Sequence, residues 1–121
     1  MTKKSNSKQY DLEDRTLEFA KNARVFVKEL NKSIANIEDE KQVVRSSGSV
    51  GANYIEANES LSKKDFIMRI KISRKEAKES RYWLRLIDVN QNKELASKQK
   101  ILINEATELM KIFGAILQKS M

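Results

Sequence analysis

Between residues 64 and 85, Lys64, Lys71, Lys75, Lys78 and Arg85 recur at steps of three, four and seven, with Met68 and Tyr82 on the same line. On a helix this spacing aligns them along one side, with Arg74 and Arg81 beside it, to make a cationic ridge. Phosphates would meet the ridge as a row of point charges, and Tyr82 would offer an aromatic face to an unstacked base. The competing reading is an ordinary solvated helix face, for which lysine is the commonest choice. A membrane surface fits less well, because the opposite, apolar side of this helix is needed for the core.

The carboxylates suggest a different chemistry. Glu56-x-x-Glu59 and Glu76-x-x-Glu79 form two pairs on successive helices, an arrangement that can hold Mg²⁺ in helical nucleotide pyrophosphohydrolases. Against it, Glu-x-x-Glu arises often by chance in a chain that is 34% charged, and Arg45, Arg69 and Lys75 would oppose a divalent cation. Histidine and cysteine are both absent. That removes the Glu-x-x-His ligands of di-iron bundles, any histidine general base and any thiolate. No serine has an activating partner, so the expectation is no catalytic residue, no metal and no cofactor.

Arg45, Ser49, Asn53 and Glu56 share one side of a helix, and Arg69, Glu76 and Glu79 share one side of the next. If those sides face each other, a guanidinium can bridge the carboxylates while Asn53 and Ser49 take the remaining hydrogen bonds. Such a polar network would fix helix register more than it adds stability, because desolvation offsets much of the attraction. The same helix carries Ser46-Ser47-Gly48-Ser49-Val50-Gly51-Ala52, whose two interior glycines each cost about 1 kcal/mol against alanine. Close approach of a neighbouring backbone to Ser47, Gly48, Gly51 and Ala52 is the expected compensation. A phosphate-binding loop is discarded, since neither the preceding strand nor the Gly-Lys-Ser/Thr ending is present.

The elements that must position these residues follow from composition and periodicity. Proline is absent and glycine occurs three times in 121 residues, which favours helices in one domain. Thr16, Phe19, Ala23, Phe26, Leu30 and Ile34, widened by Leu12, Ala20 and Val27, predict helix 1 over about 11–32. Asn36 then caps helix 2, about 37–58, with Glu38, Asp39 and Glu40 in its first turn. Ser62 with Asp65 resembles a capping box and starts helix 3, about 62–88, whose inner face is Phe66, Ile70, Ser73, Ala77, Ser80, Leu84 and Ile87. After the polar loop Asn90-Gln91-Asn92, Leu102, Ala106, Leu109, Phe113 and Ile116 define helix 4, about 96–119. Short connections then imply an all-α, antiparallel up-down four-helix bundle over 11–121. Ile67, Ile72, Trp83, Leu86, Ile101, Ile103, Ile112 and Leu117 fall partly outside the inner faces and either flank a wide core or form an oligomer interface.

Residues 1–10, with Lys3, Lys4 and Lys8 among polar neighbours, are expected to be a disordered basic tail. No apolar run suits a membrane span or a signal core, so a cytoplasmic location is expected. A net charge of +7 biases the surface toward polyanions.

The segment Gln42-Val-Val-Arg45-Ser46-Ser47-Gly48-Ser49-Val-Gly51-Ala52-Asn53-Tyr-Ile-Glu56-Ala57, then Ser62-Lys-Lys-Asp65-Phe66 and Lys75-Glu76-Ala77-x-Glu79-Ser-x-Tyr82-Trp83-Leu84, resembles the 23S rRNA intervening-sequence proteins, also called four-helix-bundle proteins. The resemblance covers about residues 15–119. It implies an up-down bundle assembled into a homopentameric ring with a basic surface, encoded in many cases within insertions in bacterial 23S rRNA genes, and no known catalysis. A similar bundle is the accessory protein of diversity-generating retroelements, where it binds a reverse transcriptase and nucleic acid. Arg45, Ser49, Asn53, Glu56, Glu76 and Glu79 match the family pattern.

The first expectation for function is therefore a non-enzymatic, oligomeric bundle that binds nucleic acid, RNA ahead of DNA. Its contacts would be Lys64, Lys71, Arg74, Lys75, Lys78, Arg81, Tyr82 and Arg85. The second is an adaptor for a protein partner, engaged through Trp83 or the outer faces of helices 3 and 4. A Mg²⁺-dependent nucleotide hydrolase ranks third.

Overall fold

Three of the four helices begin with a side chain that accepts a hydrogen bond from a backbone N–H three residues on. Ser33 accepts from Asn36 (3.1 Å), Ser62 from Asp65 (3.0 Å) and Asn92 from Leu95 (3.0 Å). Each satisfies one of the donors that a helix N-terminus leaves unpaired. The computed structural model describes residues 11–121, so the expectation of a tail at 1–10 lies outside the described residues. The helices are α1 (Leu12–Lys28), α2 (Ile34–Asn58), α3 (Lys63–Leu86) and α4 (Lys93–Ser120), packed as an antiparallel bundle. Helix α1 packs on α2 and α4, and α3 packs on the same two, so the four occupy the corners of a square in chain order.

The core follows the anticipated stripes. Phe19, Ala23, Phe26, Val43, Val50, Ile70, Ala77, Leu84, Leu102, Leu109 and Phe113 are buried along its length. The half-buried Ile67, Trp83, Ile103 and Ile112 pack against it and Leu117 lies within it, which supports the wide-core reading for these five. Leu86 and Ile101 remain exposed.

The boundaries correct the sequence expectation at several points. Helix α1 stops at Lys28 rather than near residue 32, and Ile34, assigned to its stripe, is an exposed residue in the first turn of α2. Ser33, not Asn36, caps α2. Asn36 is buried and ties two connections together: its amide donates to the carbonyls of Asn31 (3.1 Å) and Asp88 (2.8 Å), and its Oδ1 accepts from the Asp88 N–H (3.0 Å). The acidic trio lies beyond the first turn of α2, and Glu40 is buried where Lys32 bridges it (2.7 Å) to the Val27 carbonyl (2.8 Å). Helix α3 ends at Leu86 rather than 88, and its last carbonyls are satisfied from α4, where Gln99 donates to Leu84 (2.8 Å) and Ile87 (2.9 Å). Helix α4 starts at Lys93 rather than about 96, after a turn in which Asn90 and Gln91 are left-handed.

Helices α2 and α3 meet through small side chains. Ser73 Oγ donates to the Val50 carbonyl (2.9 Å), Ser80 Oγ lies 2.9 Å from both Ser46 Oγ and the Glu76 carbonyl, and Ser46 donates to the Gln42 carbonyl (2.7 Å). These hydroxyls are buried and bonded, so they allow close approach without orphaned polar groups. The α1–α4 seam is the least extensive of the four. It is spanned by Arg15–Glu105 (2.7 and 2.9 Å) and Lys98–Glu29 (2.9 Å). The hydrogen bonds that Arg15 donates to Glu105 raise its pKa above the ordinary value, and the one that Lys98 donates to Glu29 does the same for Lys98.

The glycines of α2 have unequal roles. A Cβ on Gly51 would lie 2.8 Å from Thr16 Oγ1 and 3.1 Å from Thr16 Cβ, so α1 approaches there too closely for alanine. A Cβ on Gly48 meets only the end of the flexible Arg24 side chain, at 3.4 Å. Ser47 is buried as expected, but Ala52 is exposed and takes no part in a close approach. Gly51→Ala should therefore destabilise the bundle by about 1–3 kcal/mol through overpacking, while Gly48→Ala should stabilise it by up to about 1 kcal/mol through helix propensity. Urea unfolding of the two variants checks the opposite signs; equal effects would remove the distinction.

Candidate nucleic-acid interface

Close packing of α2 against α3 turns one side of α3 away from solvent and leaves the other free. Lys64, Lys71, Arg74, Lys75, Lys78, Tyr82 and Arg85 are all exposed. None of these six cations forms an ion pair with a carboxylate among the described residues, whereas Arg15, Lys32, Lys41, Arg45, Lys98 and Lys111 do. Arg81 is the exception within the ridge. It is half-buried and donates to Thr107 Oγ1 of α4 (3.3 Å), so it helps join the two helices. Tyr82 is 57% exposed and meets Trp83 edge-on, with ring centroids 5.0 Å apart.

The middle of the ridge is one wall of a cleft against α4. Lys71, Arg74, Lys75 and Lys78 line it with Lys111 opposite and Met110, Gly114, Ala115 and Leu117 along it. Lys64 lies toward the N-terminal end of α3, near Ile67 and Met68. Lys111 was missed from sequence. Its spacing to Gly114, Ala115 and Gln118 marks a common face of α4, but which face of α3 meets it depends on packing.

The polar network forms only in part. Arg69 Nη1 donates to Asn53 Oδ1 (2.9 Å), and Asn53 donates to the Ser49 carbonyl (2.9 Å). Arg45 lies 3.9 Å from Glu76 and 3.7 Å from Glu79, close enough for attraction but too far for hydrogen bonds. Glu76 is buried, and its Oε1 accepts no hydrogen bond. Two members correct the expectation. Ser49 contributes its backbone carbonyl rather than its hydroxyl, and the Glu56 side chain is exposed and outside the network.

The pairing of Asn53 with Arg69, Val50 with Ser73 and Ser46 with Ser80 fixes the register of α2 on α3. In that register Glu56 lies opposite the first turns of α3, about 15 Å along the axis from Glu76. The two carboxylate pairs are thus not brought to one site, and among the described residues no three acidic side chains converge as a metal site. No described helix is long and apolar enough to cross a membrane.

An antiparallel all-α four-helix bundle with a cationic face on α3 is the class of protein defined by this geometry. The family model described as 23S rRNA-intervening sequence protein matches residues 8–115, and the chain belongs to that family. A solved structure from Bacteroides thetaiotaomicron VPI-5482, a protein of unknown function from the S23 ribosomal protein family, is 32% identical. The similarity covers 87% of this chain and 96% of that one, with a TM-score of 0.71. Comparison with curated proteins gave no match.

The two halves of the polar network should differ in strength. A double-mutant cycle on Arg69 and Asn53 should return a coupling of about 1.5 kcal/mol, the lower end of the range for a hydrogen bond to a charged group because the pair is only part-buried. The cycle on Arg45 and Glu79, both substantially exposed, should return less than about 0.5 kcal/mol. Urea unfolding of each set measures both. The reverse order would place the centre of the network at Arg45.

Proposed function

We propose that this chain is a non-enzymatic, homo-oligomeric, cytoplasmic bundle that binds nucleic acid, RNA ahead of DNA, through the exposed side of α3. The observation that carries the reading is the row of six unpaired cations from Lys64 to Arg85, about 32 Å long at 1.5 Å per residue. Among the described residues no carboxylate lies within ion-pair distance of these six, although Asp65 lies near Lys64 and Lys71 at the N-terminal end. Membership of a family named for sequences that interrupt 23S rRNA favours an RNA ligand. A pentameric ring, which the family resemblance implies, would repeat the surface and multiply weak contacts by avidity. The exposed Leu86 and Ile101 offer apolar surface for such assembly. The absence of histidine and cysteine, together with Arg45 beside both Glu76 and Glu79, favours binding over catalysis.

The adaptor reading keeps one specific observation in its favour, the 66% exposure of Ile101, which lies with the exposed Val25 in the groove between α4 and α1. Retention of a protein partner after nuclease treatment would favour it.

For the nucleic-acid reading, binding of an unpaired RNA should be electrostatic and largely indifferent to sequence. Roughly six phosphate contacts on a single strand give a slope of about −4 in log affinity against log salt. Replacing Lys71, Lys75 and Lys78 together by glutamate should abolish binding at moderate salt and leave the helical circular dichroism unchanged. Affinity that is flat with salt, or that survives the triple reversal, would refute the assignment.

A further inference from the structure

The cleft between α3 and α4 combines positive walls with an apolar floor. Lys71, Arg74, Lys75 and Lys78 face Lys111 across Met110, Gly114, Ala115 and Leu117, with Gln118 and Met121 at the end of α4, and no Asp or Glu side chain lines it. Gly114 has a particular place there. A Cβ added to it would lie 3.8 Å from Arg74 Nε and 4.0 Å from Cζ, so the guanidinium rests over the one α4 position that has no side chain. Among the described residues Arg74 donates no hydrogen bond and joins no ion pair, which leaves its planar face uncommitted.

We propose that this cleft receives an unpaired nucleic-acid strand, with a base stacked on the Arg74 guanidinium above Gly114 and the flanking phosphates on Lys71, Lys75, Lys78 and Lys111. The inference rests on the nucleic-acid reading and adds to it the substrate class and a second helix. A guanidinium plane is a recognised stacking surface for splayed bases, and the apolar floor suits a base rather than a hydrated phosphate. A duplex keeps its bases stacked inside and can present only phosphates to the rim. Both helix faces are thus used at once by a single strand but not by a duplex.

The test compares a 12-nucleotide single-stranded RNA, the same sequence as DNA, and the blunt RNA duplex by fluorescence anisotropy with the full chain. Single strands should bind at least several-fold more tightly than the duplex. Gly114→Leu should weaken single-strand binding about tenfold and leave duplex binding within twofold, because it lifts the guanidinium but keeps every charge. Arg74→Lys, which keeps the charge and loses the plane, should weaken the single strand several-fold without changing the salt slope. Gly114→Ala, whose Cβ makes ordinary contact, should bind like the parent and shows that the position tolerates substitution.

Equal affinity for strand and duplex, or no effect of Gly114→Leu, would overturn the cleft assignment while the ridge reading stands. Failure of every nucleic acid to bind at low salt would overturn both. Polyglutamate competing as well as single-stranded RNA would mark the cleft as a site for acidic polypeptides and overturn the stacking proposal. RNA and DNA strands binding alike would support stacking and assign no role to the 2′-hydroxyl.

Discussion

The contact of α2 with α3 is the constraint on which the other features depend. Ser46, Val50, Ser73, Ala77 and Ser80 are fully buried, and small side chains with internally bonded hydroxyls let the two backbones approach. Bulky apolar residues would separate the helices, and unbonded hydroxyls would leave costly buried donors. The serines avoid both and fix the rotation of α3 about its axis. Once Ser73 and Ser80 point at α2, helical geometry directs Lys71, Lys75, Lys78 and Arg85 outward without further choice.

That outward face is costly to the helix. Lys71 with Lys75, Arg74 with Lys78 and Arg81 with Arg85 are like charges four residues apart, and each such pair opposes helix formation by about 0.2–0.5 kcal/mol. Elsewhere the same chain pairs cation with carboxylate, on α1 with α4, within α2 and within α4. A polyanion bound along this face, as proposed above, would relieve the repulsion.

Much of this organisation was legible in sequence because it depends on local spacing. The Ser62 cap, the inner face through Ile70, Ala77 and Leu84, and the cationic line all follow from three- and four-residue steps on one helix. What could not be read depends on contacts between segments distant in the chain. Asn36 looked like a cap because asparagine favours that role, yet its partners Asn31 and Asp88 lie in two different connections. Glu56 shares a helix side with Arg45 and Asn53, but opposite the first turns of α3 its side chain meets no hydrogen-bond or ion-pair partner, so it stays in solvent. Arg81 and Lys111 differ from the ridge lysines only through their position against the neighbouring helix, which periodicity on a single helix does not encode.

The seams also determine how far ionic strength can be used to separate binding from folding. Salt screens exposed charges beyond a Debye length of about 8 Å at physiological strength. It therefore acts on ligand contacts made by exposed lysines, and also on the ion pairs that span the α1–α4 seam. The two responses are not equal. Arg15 holds Glu105 through two short hydrogen bonds, partly shielded from water, and directional contacts at 2.7–2.9 Å are screened far less than charges meeting phosphate across solvent. Beneath that seam Phe19, Phe26 and Leu102 are buried whatever the state of the ion pairs, and burial of apolar surface is not weakened by screening. The bundle is therefore held by forces largely insensitive to salt, while its cationic face acts through forces that salt removes, so structure and recognition can be separated by one physical variable.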